Sequence, residues 1–212
     1  MQLTLKESVF TLLPEKALYK EDEQLLIIAD VHLGKATHFR NEGIYMPAMA
    51  HREDYEALRR VFLKFSPRKV YFLGDLFHSK LNGEWRLFAA LIKEFPHIAF
   101  TLVKGNHDII DATLFTELNI VIVEEVLEEG AFVYSHMPVD TPADAINIVG
   151  HIHPGVVLNG KARQRIKLPC FHLCGNTLLL PAFGKLTGLY IIDCGKDDRV
   201  FAVLPSEVLE LA

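Results

Sequence analysis

Lys69-Val70-Tyr71-Phe72-Leu73-Gly74-Asp75-Leu76-Phe77-His78 reads as a strand, apolar from Val70 to Leu73, that stops at a glycine and a carboxylate. An uninterrupted apolar run suits the middle of a sheet covered on both faces. In open α/β sheets, ligand sites lie beyond the carboxyl ends of such strands. Gly74 permits a tight turn, so Asp75 is expected to point into a crevice rather than back into the sheet. A Gly-Asp pair alone is commonly an ordinary turn. Here four other strand ends carry metal-ligating side chains as well.

Working towards the N-terminus, strands are expected over Val9 to Leu13, Ala17 to Tyr19 and Leu25 to Ala29, the last ending in Asp30-Val31-His32-Leu33-Gly34. Lys35, His38 and Arg40 follow in a polar loop closed by Pro47. A helix from about Met49 to Phe65 then sets Tyr55, Leu58, Val61, Phe62 and Phe65 on one face and ends at Ser66-Pro67. Towards the C-terminus, a helix from about Gly83 to Phe95 has Trp85, Phe88, Ala89, Ile92 and Phe95 as its buried stripe, so Trp85 reads as core. A strand over Ile98 to Val103 delivers Lys104-Gly105-Asn106-His107-Asp108, and a short helix near Ile110 to Glu117 leads to a strand over Ile120 to Val123. The acids Glu124, Glu125, Glu128 and Glu129 are expected to decorate a hairpin turn before the strand Ala131 to Tyr134, which ends at Ser135-His136. Ile146 to Val149 delivers Gly150-His151-Ile152-His153; strands fill Val156 to Leu204, and a last helix is expected over Ser206 to Leu211. Two sheets in the core with helices outside accommodate this order. With no repeat or linker, one domain over residues 1–212 is expected.

At 212 residues and 50% hydrophobic composition the chain can bury one substantial core. The net charge of −5 gives no global reason to bind nucleic acid, so any polyanion site has to be local. Cys170, Cys174 and Cys194 are odd in number and lack a CxxC spacing, which indicates reduced core thiols rather than a disulfide framework or zinc knuckle. The N-terminal segment lacks a signal-peptide pattern and no apolar run approaches the roughly 18 residues of a membrane span, so a soluble cytoplasmic protein is expected. Ten histidines are many for this length. Five of them, His32, His107, His136, His151 and His153, fall beside Asp, Asn or Gly at strand ends, whereas His51, His97 and His172 read as ordinary surface or packing residues.

In order, the strand-end motifs are Asp30-x-His32, Gly74-Asp75, Gly105-Asn106-His107-Asp108, Ser135-His136 and Gly150-His151-x-His153. Residues i and i+2 on an extended segment point the same way, so Asp30 with His32, and His151 with His153, are expected to converge. Carboxylate and imidazole donors together suit Mn, Fe or Zn, and the lack of cysteine argues against a purely structural zinc site. Any one of these motifs is compatible with a plain turn. Five in one order, each closing a strand, are not.

This pattern resembles the calcineurin-like binuclear metallophosphoesterases, whose blocks are DxH, GD, GNHD or GNHE, an H, and GHxH. The resemblance implies a four-layer α/β/β/α sandwich and two divalent ions. It places Asp30, His32 and His153 on one metal, Asn106, His136 and His151 on the second, with Asp75 bridging, His107 as the catalytic histidine and Asp108 orienting it. The chemistry implied is phosphoester hydrolysis by a metal-bridging hydroxide, with His107 protonating the leaving oxygen or stabilising the phosphoryl group.

Beyond the ligands, Ala17-Leu18-Tyr19, Asp30 to Pro47, Gly74 to Trp85, Lys167 to Phe171 and Leu178 to Gly188 are similar to the ligase-associated DNA damage response endonucleases, the PdeM-type family. That resemblance implies a manganese-favouring DNA phosphodiesterase in bacterial repair, working beside a ligase, a helicase and an exonuclease. Lys35, Arg40 and His78 lie close to the ligand motifs, and Lys161, Arg163, Arg165 and Lys167 alternate into a basic stripe; these are the candidate substrate contacts. Two other functions are weighed: hydrolysis of a small nucleotide or lipid-linked pyrophosphate, the latter needing an apolar lid that is not evident, and a non-catalytic repair scaffold, which has no chemical use for an intact ligand set.

Overall fold

A computed structural model describes residues 1–47, 50–78, 83–160 and 164–211. The chain opens with β1 (Gln2–Leu5), β2 (Ser8–Leu12), β3 (Leu18–Lys20) and β4 (Leu25–Ala29). It continues through α1 (Lys35–Asn41), α2 (Ala50–Phe65), β5 (Lys69–Leu73), α3 (Gly83–Glu94), β6 (Ala99–Val103), α4 (Ala112–Glu117) and β7 (Ile120–Val123). Strands follow: β8 (Val126–Glu129), β9 (Phe132–Ser135), β10 (Ile146–Val149), β11 (Pro154–Asn159), β12 (Arg165–Cys174), β13 (Thr177–Leu179), β14 (Tyr190–Ile191), β15 (Arg199–Val203) and β16 (Val208–Leu211).

The first sheet runs in chain order from β1 to β7, antiparallel as far as β4 and parallel from β4 to β7. Parallel neighbours need crossovers, and α2, α3 and α4 supply them. Side-chain alternation explains the solid apolar runs. Leu26 and Ile28 of β4, Val70 and Phe72 of β5, and Phe100 and Leu102 of β6 pack with Leu58, Phe62, Phe88, Ile92 and Phe115 of the helices. The intervening Ile27, Ala29, Tyr71, Leu73 and Val103 pack instead against Phe132, Tyr134, Ile148, Phe171, Leu178 and Phe201 of the second sheet. Both faces are buried, so no polar residue interrupts β4 or Val70 to Leu73 of β5, and β6 admits only the half-buried Thr101.

The second sheet has β9, β10 and β13 parallel at its centre and β8, β12, β11 and β14 outward from them, with β15 and β16 attached through β12. Helices, first sheet and second sheet stack as three of the four expected layers. Beyond the second sheet no helix stands among the described residues; a small cluster of Val156, Cys170, Val200 and Ala202, with Ile192, Leu204 and Leu211 against it, occupies that side.

Three local expectations need correction. Lys35 to Asn41 is a helix, not a loop: Gly34 at φ 86° turns the chain into it, and His38 and Arg40 in its last turn suit the negative end of the helix dipole. Ser206 to Leu211 does not form a helix; Val208–Leu211 pairs antiparallel with β15, where the Arg199 guanidinium grips Glu210 through both carboxylate oxygens. Glu128 and Glu129 lie within β8 rather than in a turn, and the Tyr71 hydroxyl donates to Glu129.

Candidate metal centre

The five motifs all emerge where β4, β5, β6, β9 and β10 end, and backbone hydrogen bonds lace their loops together. Asp30 N–H donates to Gly74 O, His32 N–H to Asp75 O at 2.9 Å and Leu33 N–H to Leu76 O at 2.8 Å. Asp30, His32, Asp75, His151 and His153 all have positive φ, between 48° and 66°. A side chain in that region costs energy, and the surroundings must hold it there. Asp30 and His32 therefore converge through a left-handed backbone, not through the extended segment expected from i, i+2 spacing, while His151 and His153 turn to the two different donor sets of the centre.

Space, as well as conformational freedom, dictates the glycines. Gly74 has φ 72°, and a Cβ there would fall 2.2 Å from His136 Nδ1. Gly105 and Gly150 do not need positive φ, but their added Cβ atoms would fall 2.4 Å from Asp75 Oδ1 and 2.6 Å from Asp30 Oδ2 respectively. The loops pack so closely that only hydrogen fits between them.

The donors form two sets. Asp30, His32 and His153 bring ligand atoms within 4.8 Å of one another, and so do Asp75, His136 and His151. In the first, His153 Nε2 lies 3.5 Å from His32 Nε2 and 3.4 Å from Asp30 Oδ1. In the second, His136 Nε2 lies 3.0 Å from His151 Nδ1, 3.1 Å from Asn106 Oδ1 and 3.4 Å from Asp75 Oδ1. Asp75 faces both sets: Oδ1 lies towards His136, and Oδ2 lies 3.8 Å from His32 Nε2.

These contacts fit cations. The Leu73 carbonyl, 3.1 Å from His136 Nδ1, can only accept, so the proton sits on Nδ1 and Nε2 presents a lone pair to the centre. A lone pair and two carbonyl-type oxygens gathered within 3.4 Å repel one another until positive charge stands among them. Asp30 Oδ1 is buried without a hydrogen-bond partner, a cost of about 1–3 kcal/mol that a metal ion offsets. Its other oxygen accepts from His151 N–H at 2.8 Å.

Burial, reinforced by the Lys35 charge, pushes the His32 imidazole down to about 2, and burial likewise lowers His151, so both offer neutral nitrogens. Burial also lowers Lys35, against the pull of Asp75 and Asp30, which places its ammonium in the field of the centre. His78 is held near 4, first by burial and then by Lys35, His38 and His107. Its ring lies 5.7 Å from that of His107 and 4.9 Å from that of His38. His107 itself is exposed at the rim, and its backbone N–H donates to Asp75 Oδ1 at 2.9 Å. Asp108 is buried and accepts from the N–H groups of Leu76, Phe77 and Gly105, tying the Asp75 loop to the Asn106 loop. Any influence it has on His107 runs through that backbone. Burial and the neighbouring Asp75 raise its carboxyl to about 6 against those three donors.

All seven candidate ligands thus meet, with Lys35, His78 and His107 beside them. Arg40 does not join: its guanidinium folds back onto Ala36 O and Thr37 Oγ1 of its own helix. Arg165 and Lys167 are exposed on β12, while Lys161 and Arg163 lie outside the described residues. Asn147 was not anticipated. Fully buried in β10, it donates to Val133 O and Ser135 Oγ and accepts from Val139 N–H, fixing the chain on both sides of His136. An asparagine inside the apolar run Ile146-Asn147-Ile148-Val149 was the available signal.

Among solved structures, the Pseudomonas putida nuclease MPE has the same fold, with a TM-score of 0.81 and 24% sequence identity over 100% of this chain and 99% of that one. No curated protein matches the sequence. The calcineurin-like phosphoesterase family model matches residues 24–172, which contain every motif of the two donor sets. A match of that extent, on a site with one carboxylate facing two histidine-rich donor sets, makes the chain a member of the calcineurin-like phosphoesterase family.

Proposed function

We propose that this phosphoesterase is a DNA phosphodiesterase with two divalent ions, manganese preferred, and that residues 1–212 act as one catalytic domain. The division of the Asp75 oxygens between the two donor sets carries the reading. Asp30, His32 and His153 would hold one ion and Asn106, His136 and His151 the other, with Asp75 turned to both. When bound, the ions supply Lewis acidity at the phosphoryl oxygens and an activated water. His107, exposed beside the centre, gives a proton to the leaving sugar oxygen. Lys35 meets a phosphate oxygen at the edge of the site, and His78, neutral near pH 7, packs against His107 and limits its orientations. Asp108 keeps the two loops in register.

DNA is favoured as substrate by the fold shared with a protein described as a nuclease, by the sequence similarity to the ligase-associated endonucleases, and by the basic strand β12. A setting in repair beside a ligase, a helicase and an exonuclease is our reading of that sequence similarity alone, and a cytoplasmic location accords with such a setting. No described helix is long and apolar enough to cross a membrane. The deciding experiment offers metal-reconstituted protein single-stranded DNA, duplex DNA, mononucleotides, dinucleoside polyphosphates and a generic phosphodiester in parallel. Cleavage of DNA with Mn²⁺ above Mg²⁺ is expected, because four imidazole donors suit the harder Mg²⁺ poorly. Turnover of the polyphosphates with DNA left intact would overturn the reading.

A further inference from the structure

On the face of β12 turned away from the first sheet, His172 and Cys174 stand side by side at i and i+2, while Phe171 and Leu173, which alternate with them, point into the inter-sheet core. Asp198 reaches them from the turn before β15, where its carboxylate accepts from Gly195 N–H at 2.8 Å. The three residues bring ligand atoms within 4.8 Å of one another, and His172 Nε2 lies 2.8 Å from Asp198 Oδ2. They share no residue with the donor sets described above. His172 is only 6% exposed, and its Nδ1 is buried with no partner, so simple packing does not account for a histidine at this position.

We propose that His172, Cys174 and Asp198 form a separate site for a zinc-type ion, which fastens the turn before β15 onto the second sheet. Thiolate, imidazole and carboxylate together select a borderline-soft divalent metal and discriminate against Mg²⁺ and Ca²⁺. As the polypeptide stands, Asp198 is the hub: its carboxyl is held below the usual range, first by Gly195 N–H and then by His172 and the Cys174 thiol. An ion would take over that role as the Cys174 thiol proton leaves for solvent and the His172 ring proton moves from Nε2 to Nδ1, freeing Nε2 for the metal. The location gives the ion a structural task, since no helix covers this side of the sheet among the described residues and the small cluster there has few apolar side chains to hold the turn.

Cobalt separates this site from the family centre, because only a sulfur ligand gives a thiolate-to-metal absorption band in the near ultraviolet, and the two donor sets of the binuclear centre contain none. The titration uses full-length, chelator-treated protein carrying Cys194→Ser, which removes the other exposed thiol. The band is expected to saturate at an intensity matching one thiolate-bound Co²⁺ per chain, to persist when His151→Ala is added, and to vanish with Cys174→Ser. Asp198→Asn, a near-isosteric change at a partly exposed residue, is expected to move the midpoint at least tenfold higher. In the same background Zn²⁺ is expected to raise the melting temperature, and Cys174→Ser to remove the part of that rise that the separate site supplies, leaving the part due to the binuclear centre. Absence of the band, or a band unaltered by Asp198→Asn and so due to an isolated thiol, would overturn the site.

Discussion

Asp75 has an unusual distribution of neighbours for a carboxylate: Oδ1 takes the His107 amide and faces His136, while Oδ2 faces His32 on the other side. Asparagine preserves the shape but replaces one oxygen with an NH₂ group and removes the charge shared by both ions. Asp75→Asn is therefore expected to bring bound metal to one or none per chain by elemental analysis. Turnover should fall by more than the roughly 10–100-fold typical of losing a residue that only supports a ligand. Two ions retained in an inactive variant would instead give Asp75 a different task. His107 calls for a different comparison, because it stands at the rim and belongs to neither donor set. A sugar alkoxide leaves poorly without a proton, whereas a nitrophenolate is stable near neutral pH. His107→Ala should lose about 10²–10⁴-fold on DNA and far less on bis-nitrophenyl phosphate, with both ions still bound. Equal proportional losses on the two substrates would assign His107 to stabilising transition-state charge.

At the scale of the element, what holds these side chains is the close passage of one strand-end loop over another. Gly105 shows this most directly: a methyl group there would fall 2.4 Å from both the backbone nitrogen and Oδ1 of Asp75. Gly105→Ala should consequently push Asp75 off both ions, so that metal affinity drops while circular dichroism stays native; unchanged metal binding would show that the loops have slack. Why such loops were readable in the chain follows from the burial of both faces of β4, β5 and β6. Two-sided burial leaves unbroken apolar runs that can end only where polar ligands begin. The convergence of Asp30 with His32 was also readable, although the left-handed backbone that achieves it was not, since Asp and His, though enriched at positive φ among non-glycine residues, adopt it too seldom to be read from residue type. The helix α1 was hidden because seven residues with Ala36 alone buried carry no apolar period. Strand β16 was hidden because its one partner among the described residues is another late strand, β15. His172 looked ordinary for a comparable reason: Asp198 comes from a turn 26 residues later, and only the folded sheet brings them together.

The molecule as a whole is anionic, with a net charge of −5, so a polyanionic substrate has to be drawn in by a local positive field and not by the average one. β11 and β12 provide the candidate. β11 begins at Pro154, directly after the candidate ligand His153, and pairs with β12 from Gly155 opposite Pro169 out to Asn159 opposite Arg165. The ribbon is thus rooted at the metal centre and carries exposed Arg165 and Lys167 away from it along one edge, about 7 Å apart at the rise of an antiparallel strand. That is close to the spacing of successive phosphates along a nucleic-acid strand. If the ribbon guides DNA into the centre, replacing Lys161, Arg163, Arg165 and Lys167 together by Gln should raise the Michaelis constant for DNA. It should also flatten the dependence of that constant on salt, by up to about four units of logarithmic slope if all four contact phosphates. Turnover of a small diester, which never reaches the ribbon, should change less than about twofold. The salt slope is the decisive measurement, because a general loss of stability would lower turnover on both substrates and leave the slope where it was.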